Sequence, residues 1–81
     1  MNYYVYVLKS KKDKKRYVGM SKDPYKRVKD HNSGHVKSTK GRGPFEISYK
    51  EECKSREIAR QKEKYFKSGS GRELLDKIIP R

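Results

Sequence analysis

The stretch that decides the fold is Tyr-Tyr-Val-Tyr-Val-Leu at residues 3–8, near the start of an 81-residue chain. Because aromatic and β-branched residues favour extended backbone, this stretch predicts a β-strand. It is apolar on both of its alternating faces, which is typical of a strand buried in the interior of a sheet. We therefore expect it to be the central strand of the fold.

Two further strands are expected beside it. Residues 10–15 are polar and predict a turn, after which residues 16–20 predict a second strand that forms a hairpin with the first. Residues 44–51 alternate apolar and polar side chains, which is typical of a strand with one buried face. The expected sheet therefore has three strands.

A helix is predicted between the second and third strands. Asp23 is a good N-cap residue, and Pro24 is tolerated at the first helical position because no hydrogen bond is needed from its nitrogen. The helix is expected to continue to residue 32 and to stop at Gly34, where glycine readily adopts a left-handed conformation. Residues 35–43 are polar and basic and predict a surface loop.

Two helices are predicted after the third strand. Ser55 is a suitable N-cap for a helix that extends to about residue 67. Ser70 and Glu73 have the spacing of a capping box, which predicts a short last helix through residue 77. The order is then β-β-α-β-α-α, a small mixed α/β domain.

The charge of the chain indicates its kind of partner. Lys and Arg number 23 against 10 Asp and Glu, a formal net charge of +13. Most of the excess lies in residues 1–43, which contain thirteen basic and three acidic residues. Such a surface attracts polyanions, with nucleic acid as the first candidate and an acidic membrane surface as the second.

Composition excludes several other classes. Only 31% of the residues are hydrophobic, but seven Tyr and two Phe can bury a large area, so we expect a folded domain over residues 1–81 rather than disorder. The apolar runs are too short for a membrane span. A single cysteine, Cys53, excludes an internal disulfide framework and a multi-cysteine zinc site, and it fits a cytoplasmic location.

The first candidate functional pair lies on the first helix. Arg27 and His31 are four residues apart and therefore share a face, beside the apolar direction given by Tyr25 and Val28. They could form a solvated basic face. A permanently charged guanidinium one turn from an imidazole is also what a phosphate-binding site would use.

Glu63 is the second candidate, because it lies at the edge of an apolar arc on the second helix. That arc is expected to contain Ile58, Ala59, Tyr65 and Phe66. A carboxylate near a core margin needs a partner. The partner could be Arg60 or Lys67 on the same helix, or a Mg²⁺ ion, which often takes few protein carboxylates together with water and substrate phosphates.

Tyrosines form the third candidate group. Tyr4 and Tyr6 share one face of the first strand, and Tyr17 lies on its partner strand two residues before Gly19. A glycine near a strand end lets a ligand or another part of the chain approach closely. These tyrosines could be core residues, or their hydroxyls could handle protons with help from nearby cations.

Taken in order, these residues resemble a known family. The set resembles the GIY-YIG nuclease domain, and in particular its small stand-alone bacterial proteins. The residues that carry the resemblance are Tyr4-Val5-Tyr6, Tyr17-Val18-Gly19, Arg27, His31 and Glu63. The likeness extends from residue 3 to about residue 75, which is nearly the whole chain.

The resemblance implies an α+β fold in which a three-stranded antiparallel sheet is flanked by helices. It implies cleavage of phosphodiester bonds in nucleic acid with one divalent ion, Mg²⁺ or Mn²⁺. Tyr6 and Tyr17 would be the motif tyrosines, and either would assist deprotonation of the attacking water. Arg27 would contact the scissile phosphate, His31 would relay or accept a proton, and Glu63 would hold the metal. The expected nucleic-acid-binding residues are Lys22, Lys26, Lys40 and Arg42.

The chain departs from the family pattern at several points. Tyr4 stands in place of the first glycine of the motif, as in many small relatives, and Met20 stands where some repair nucleases of the family have lysine. We identify no counterpart of the separate DNA-binding domain that gives many relatives their specificity. The chain is therefore expected to cleave weakly alone, to select DNA by its structure, or to depend on a protein partner.

Three functions fit these residues. The first is a metal-dependent endonuclease acting on DNA, with RNA as the second candidate substrate, selective for DNA structure and linked to repair or recombination. The second is a non-catalytic basic nucleic-acid-binding module, and the third is a ribosome-associated basic protein. A simple binder has no use for Glu63, which repels phosphate unless a metal lies between them. We expect a monomer or a weak homodimer.

Overall fold

The computed structural model describes residues 2–34, residue 41 and residues 43–79. Its elements, in chain order, are β1 (Tyr3–Ser10), β2 (Arg16–Ser21), α1 (Pro24–Asn32), β3 (Phe45–Cys53), α2 (Arg56–Lys67) and α3 (Gly69–Ile78). The predicted order β-β-α-β-α-α is confirmed. The expected loop over residues 35–43 lies mostly outside the described residues, and Lys40 and Arg42 lie outside them entirely.

β1 is the central strand of the sheet, as its two apolar faces predicted. The strand order is β2-β1-β3, and both pairings are antiparallel. Val5, Val7 and Leu8 are fully buried, and Tyr6 is 1% exposed. A central position suits a strand this deeply buried, because an edge position would leave one row of its backbone groups without a strand to pair with.

The two faces of the sheet form separate cores. We call one the α2/α3 face, where the side chains of β1 pack beneath α2 and α3. Its buried residues are Val5, Val7, Val18, Cys53, Ala59, Phe66, Leu75 and Ile79. We call the other the α1 face, and its cluster consists of Tyr6, Leu8 and Phe45 with the half-buried Tyr17, Val28 and Ile47.

α1 begins and ends where the sequence indicates. The Asp23 side chain accepts a hydrogen bond from the backbone N–H of Lys26 at 3.1 Å, and Gly34 adopts a φ of 82° just after the helix. One tie was not predicted. The Asn32 amide accepts from the Phe45 N–H at 2.5 Å and donates to the Phe45 carbonyl at 3.1 Å. This clasp holds the last turn of α1 against the start of β3.

The start of α3 differs from the prediction. The helix begins at Gly69, and Ser68 is its N-cap, with the Ser68 hydroxyl accepting from the Gly71 N–H at 3.2 Å. The predicted capping box at Ser70 and Glu73 is therefore wrong. The reason is tertiary, since a Cβ on Gly71 would collide with the backbone carbonyl of Tyr65. Glycine at that position lets α3 turn back directly after α2.

Two smaller expectations are also corrected. β3 continues to Cys53, two residues beyond the predicted strand end. In α2 only part of the expected apolar arc is buried. Ala59 and Phe66 are buried, whereas Ile58 is 39% exposed and Tyr65 is 44% exposed. In the described part of the chain, every helix falls short of the length and apolar content needed to cross a membrane.

Candidate active site

Tyr6 lies at the centre of the candidate site, and Gly19 determines how it lies there. The two residues are opposite each other in the β1–β2 pairing. A Cβ built on Gly19 would be 2.5 Å from the Tyr6 hydroxyl and 2.7 Å from its ring carbon Cζ. Such distances are too short for real atoms, so the Tyr6 ring can lie over β2 only because residue 19 has no side chain.

The Tyr6 hydroxyl interacts with Arg27 of α1. Burial raises the pKa of Tyr6, and this effect outweighs the lowering caused by hydrogen bonding to the Arg27 guanidinium and by its charge. The pKa of Arg27 is raised, chiefly by the same interaction. Arg27 also approaches the Asp30 carboxylate at 3.5 Å. Tyr6 therefore keeps its proton at neutral pH, and Arg27 keeps its charge beside it.

His31 is buried among aromatic rings on the α1 face. The residue is only 1% exposed. The centroid of its ring lies 4.7 Å from that of Tyr17, 5.9 Å from that of Phe45 and 6.4 Å from that of Tyr6. Burial lowers the pKa of His31, and the charge of Arg27 lowers it further. The imidazole is therefore held in its neutral form near pH 7.

The two candidates on α1 do not share one environment, although their spacing places them on one face. His31 turns into the sheet, whereas the Arg27 side chain is 38% exposed. The expectation that Tyr25 marks the apolar side of α1 is wrong, because Tyr25 is 59% exposed. Its hydroxyl instead accepts a hydrogen bond from the Lys50 ammonium at 2.8 Å. A single wheel position therefore does not decide whether a side chain faces solvent.

Glu63 has both of the helix partners that its spacing allowed. Its carboxylate lies 3.7 Å from the Arg60 guanidinium and 3.4 Å from the Lys67 ammonium, and its side chain is only 13% exposed. The negative charge of Glu63 also contributes to the raised pKa of Tyr6. The carboxylate therefore acts on the Tyr6 hydroxyl from α2, while Arg27 acts on it from α1.

The donor set suits a single hard cation better than a zinc site. Within the described residues, His, Cys, Asp and Glu do not form any group of three that could hold a metal ion. Glu63 is a mostly buried carboxylate whose partners Arg60 and Lys67 have side chains that are 64% and 53% exposed. These long arms can move aside. One carboxylate with water and a substrate phosphate is a common way to hold Mg²⁺.

Of the predicted nucleic-acid-binding residues, Lys22 and Lys26 are among those that the structure describes. Lys22 is exposed, and its ammonium lies 5.5 Å from the Tyr3 ring centroid. Lys26 is also exposed, on the first turn of α1. The sequence reasoning missed Asn32, whose clasp on β3 holds the turn that carries His31. The signal available in the sequence was an asparagine at the last position of the predicted helix.

Fold and site together define the class of protein. The model of the GIY-YIG catalytic domain matches residues 2–76, and the chain belongs to the GIY-YIG family. The GIY-YIG domain is a nuclease-type catalytic domain, and nucleic acid is its general kind of substrate. The sequence resemblance and the expected α+β fold are confirmed.

The more particular relatives are small bacterial proteins named UPF0213. The chain is 38% identical over 76 residues to UPF0213 protein CPE1444 of Clostridium perfringens, covering 93% of this chain and 81% of that protein. It is 43% identical over 67 residues to UPF0213 protein YazA of Bacillus subtilis, covering 82% and 67%. The solution NMR structure of UPF0213 protein BH0048 from Bacillus halodurans has a TM-score of 0.56 at 40% identity, covering 93% and 82%. These names state no activity.

Proposed function

We propose that the protein is a divalent-metal-dependent endonuclease that hydrolyses phosphodiester bonds in DNA. The observation that carries the proposal is the hydrogen bond between the Arg27 guanidinium and the buried hydroxyl of Tyr6, with the mostly buried Glu63 carboxylate on α2 adding a weaker charge effect on that hydroxyl. A tyrosine that only fills the core does not need a guanidinium hydrogen-bonded to its hydroxyl, so this contact indicates a chemical role for the hydroxyl. We further propose that the enzyme selects DNA by its structure, in repair or recombination.

Arg27 would stabilise the charge that builds on the phosphate. Attack of water on phosphorus forms a new P–O bond, breaks the bond to the leaving oxygen and increases negative charge on the non-bridging oxygens. Arg27 is partly exposed and keeps its charge, so it can meet those oxygens while its link to Tyr6 and Asp30 limits its movement. Such preorganised charge is among the largest contributions to catalysis.

Tyr17 and His31 would take the proton that the attacking water loses. Tyr17 is half-buried, and its ring lies beside the neutral imidazole of His31, with ring centroids 4.7 Å apart. Tyr17 can accept the proton of the water as its own passes inward to His31. Tyr6, whose pKa is raised, would keep its proton and donate a hydrogen bond to a phosphate oxygen.

Glu63 would hold the divalent ion, Mg²⁺ or Mn²⁺. The ion supplies positive charge against the phosphate and increases the acidity of water. Glu63 itself would exchange its contacts with Arg60 and Lys67 for the ion. The carboxylate would therefore have a cationic partner both with and without the ion.

The test is cleavage of labelled single strands, duplexes, flaps and four-way junctions of DNA, and of an RNA strand, with MgCl₂, MnCl₂ or EDTA. Wild type is compared with Glu63→Gln and with Glu57→Gln. Glu57 lies in the first turn of the same helix and is exposed, so its variant removes the same charge away from the site. We expect metal-dependent cutting that falls on the order of 10²–10³-fold in Glu63→Gln only.

Two results would overturn the proposal. One is cutting that Glu63→Gln leaves unchanged. The other is tight, metal-indifferent binding without cutting, which the net charge of +13 alone could provide. That second result would favour a non-catalytic nucleic-acid-binding module.

A further inference from the structure

A second feature of the molecule is a groove of about 1060 Å³ beside the candidate active site. One wall is the end of the β1–β2 hairpin together with the first residues of β2. The other wall is the junction between α2 and α3. Its floor is apolar and is formed by Val18, Phe66 and Leu75.

The groove is strongly basic. The cationic side chains that line it are Lys9, Lys14, Lys15, Arg16, Lys67 and Arg72. Among the described residues of its lining, Asp76 is the acidic one, and it pairs with Arg16 at 2.7 Å. This pair joins the two walls across the groove. Asp76 neutralises one of the six cationic side chains, so the groove keeps a positive charge and attracts a polyanion.

Lys14 occupies an unusual backbone conformation in the wall of the groove. Its φ is 64°, in the left-handed region that favours glycine or asparagine. The turn around it is well ordered, with the Ser10 carbonyl accepting from the Lys14 N–H at 3.0 Å and the Ser10 N–H donating to the Lys15 carbonyl at 2.9 Å. A lysine kept at a strained position suggests that its side chain is needed there.

The groove and the candidate active site share two residues. Tyr17 lines the groove and also packs beside His31, with the ring centroids 4.7 Å apart. Lys67 lines the groove and pairs with Glu63 at 3.4 Å. A polyanion lying in the groove would therefore meet the candidate active site at Tyr17 and Lys67, around the outer edge of β2, which is an edge strand of the sheet.

We propose that this groove binds the phosphodiester backbone of the nucleic-acid substrate next to the bond that is cut. The inference rests on the proposed function, which it deepens by locating the strand. The lining offers ammonium and guanidinium groups, which can neutralise backbone phosphates whatever the base sequence. Binding in the groove is therefore independent of base sequence and strongly dependent on salt.

The test compares two double variants that remove the same charge. The groove variant is Lys14→Asn with Arg72→Gln, in which asparagine suits the left-handed backbone. The control is Lys54→Gln with Arg56→Gln, two exposed cations at the far end of α2 from Lys67. Binding of a short fluorescein-labelled DNA duplex is followed by anisotropy over a KCl series in EDTA, where metal-dependent cleavage is absent.

We expect the groove variant to bind roughly tenfold more weakly and to lower the slope of log Kd against log salt by about 2, one for each lost phosphate contact. The control should change both quantities much less. Circular dichroism should show an unchanged fold and an equal or higher melting temperature for the groove variant, because Lys14→Asn relieves strain. Equal losses of DNA affinity in the two variants would overturn the proposal that the groove binds the DNA backbone.

Failure of the groove can be distinguished from failure of the nuclease. If wild type cuts DNA with Mg²⁺ but the two double variants bind and cut alike, the groove is wrong and the nuclease stands. If wild type never cuts but the groove variant alone loses binding, the groove stands as the site of a binding module.

Discussion

Tyr6 and Val7 are neighbours on β1, yet they enter cores of different chemistry. Val7 joins the α2/α3 face, whose buried side chains are aliphatic apart from Phe66 and the thiol of Cys53. Tyr6 joins the α1 face, where the imidazole of His31 lies among the rings and the partly exposed guanidinium of Arg27 contacts the Tyr6 hydroxyl. Both faces exclude water, but the α1 face is the one that holds the phenol hydroxyl and the imidazole used in the proposed reaction.

This difference shows how a small domain separates stability from chemistry. The α2/α3 face gains free energy from apolar burial and needs no precise polar partner. The α1 face contributes less to stability, because it buries polar groups and their burial costs free energy unless they are hydrogen-bonded. Changes on the first face should therefore alter the free energy of unfolding, and changes on the second should alter activity.

The largest effect on stability is expected for Leu75→Ala on the α2/α3 face. Leu75 is 1% exposed, and its truncation leaves a cavity, so the free energy of unfolding should fall by about 2–5 kcal/mol. Leu74→Ala is the matched control, because Leu74 is its neighbour on α3 and is 37% exposed. Urea denaturation measures both. Equal losses would mean that α3 does not pack as described.

A smaller effect is expected for Gly19→Ala, which crowds the α1 face. The new methyl group would press on the Tyr6 ring, which is buried and rigid, and such overpacking costs about 1–3 kcal/mol. Cleavage should fall with it because the Tyr6 hydroxyl is displaced. Gly69→Ala is the control, since its added Cβ meets nothing within 4 Å. That variant should keep activity and full stability, as followed by thermal melting and cleavage rate.

The smallest effect concerns pH. Because burial lowers the pKa of His31, the unfolded chain takes up a proton more readily than the folded one once the pH falls below about 6.5. The free energy of unfolding should therefore decrease as the pH falls through this range, down to the lowered pKa.

His31→Gln should flatten that part of the stability curve in urea denaturation at a series of pH values. Glu51 provides an internal reference, because Lys62 holds its pKa below the usual range, so its contribution is lost only below about pH 4.5. An unchanged slope above pH 5 in His31→Gln would contradict the buried, neutral imidazole.

Much of the fold could be predicted because its signals are local. The two-sided apolar pattern of β1, the cap at Asp23 and the left-handed Gly34 each depend on a few neighbouring residues. The start of α3 could not be predicted, because Ser68 and Ser70 are both able to cap a helix. The choice depends on how closely Gly71 approaches α2, which is a tertiary contact.

The site was predictable in its members but not in its arrangement. Spacing placed Arg27 and His31 on one face, but it could not show that one is half-exposed and the other buried. Spacing also allowed the pairing of Glu63 with Lys67 without excluding a role in metal binding. The basic groove was invisible in the sequence because hairpin and helix residues far apart in the chain form its two walls.

The most direct test of this separation compares Tyr6→Phe with Val7→Ala, by measuring single-turnover DNA cleavage and melting temperature on both. Val7→Ala should lower the free energy of unfolding by about 2 kcal/mol, which corresponds to a fall of roughly 8–16 °C in melting temperature. The folded variant should cut DNA at nearly the wild-type rate. Tyr6→Phe should melt closer to wild type and cut at least roughly tenfold more slowly. Cutting at the wild-type rate by Tyr6→Phe, or parallel losses in both variants, would contradict the account.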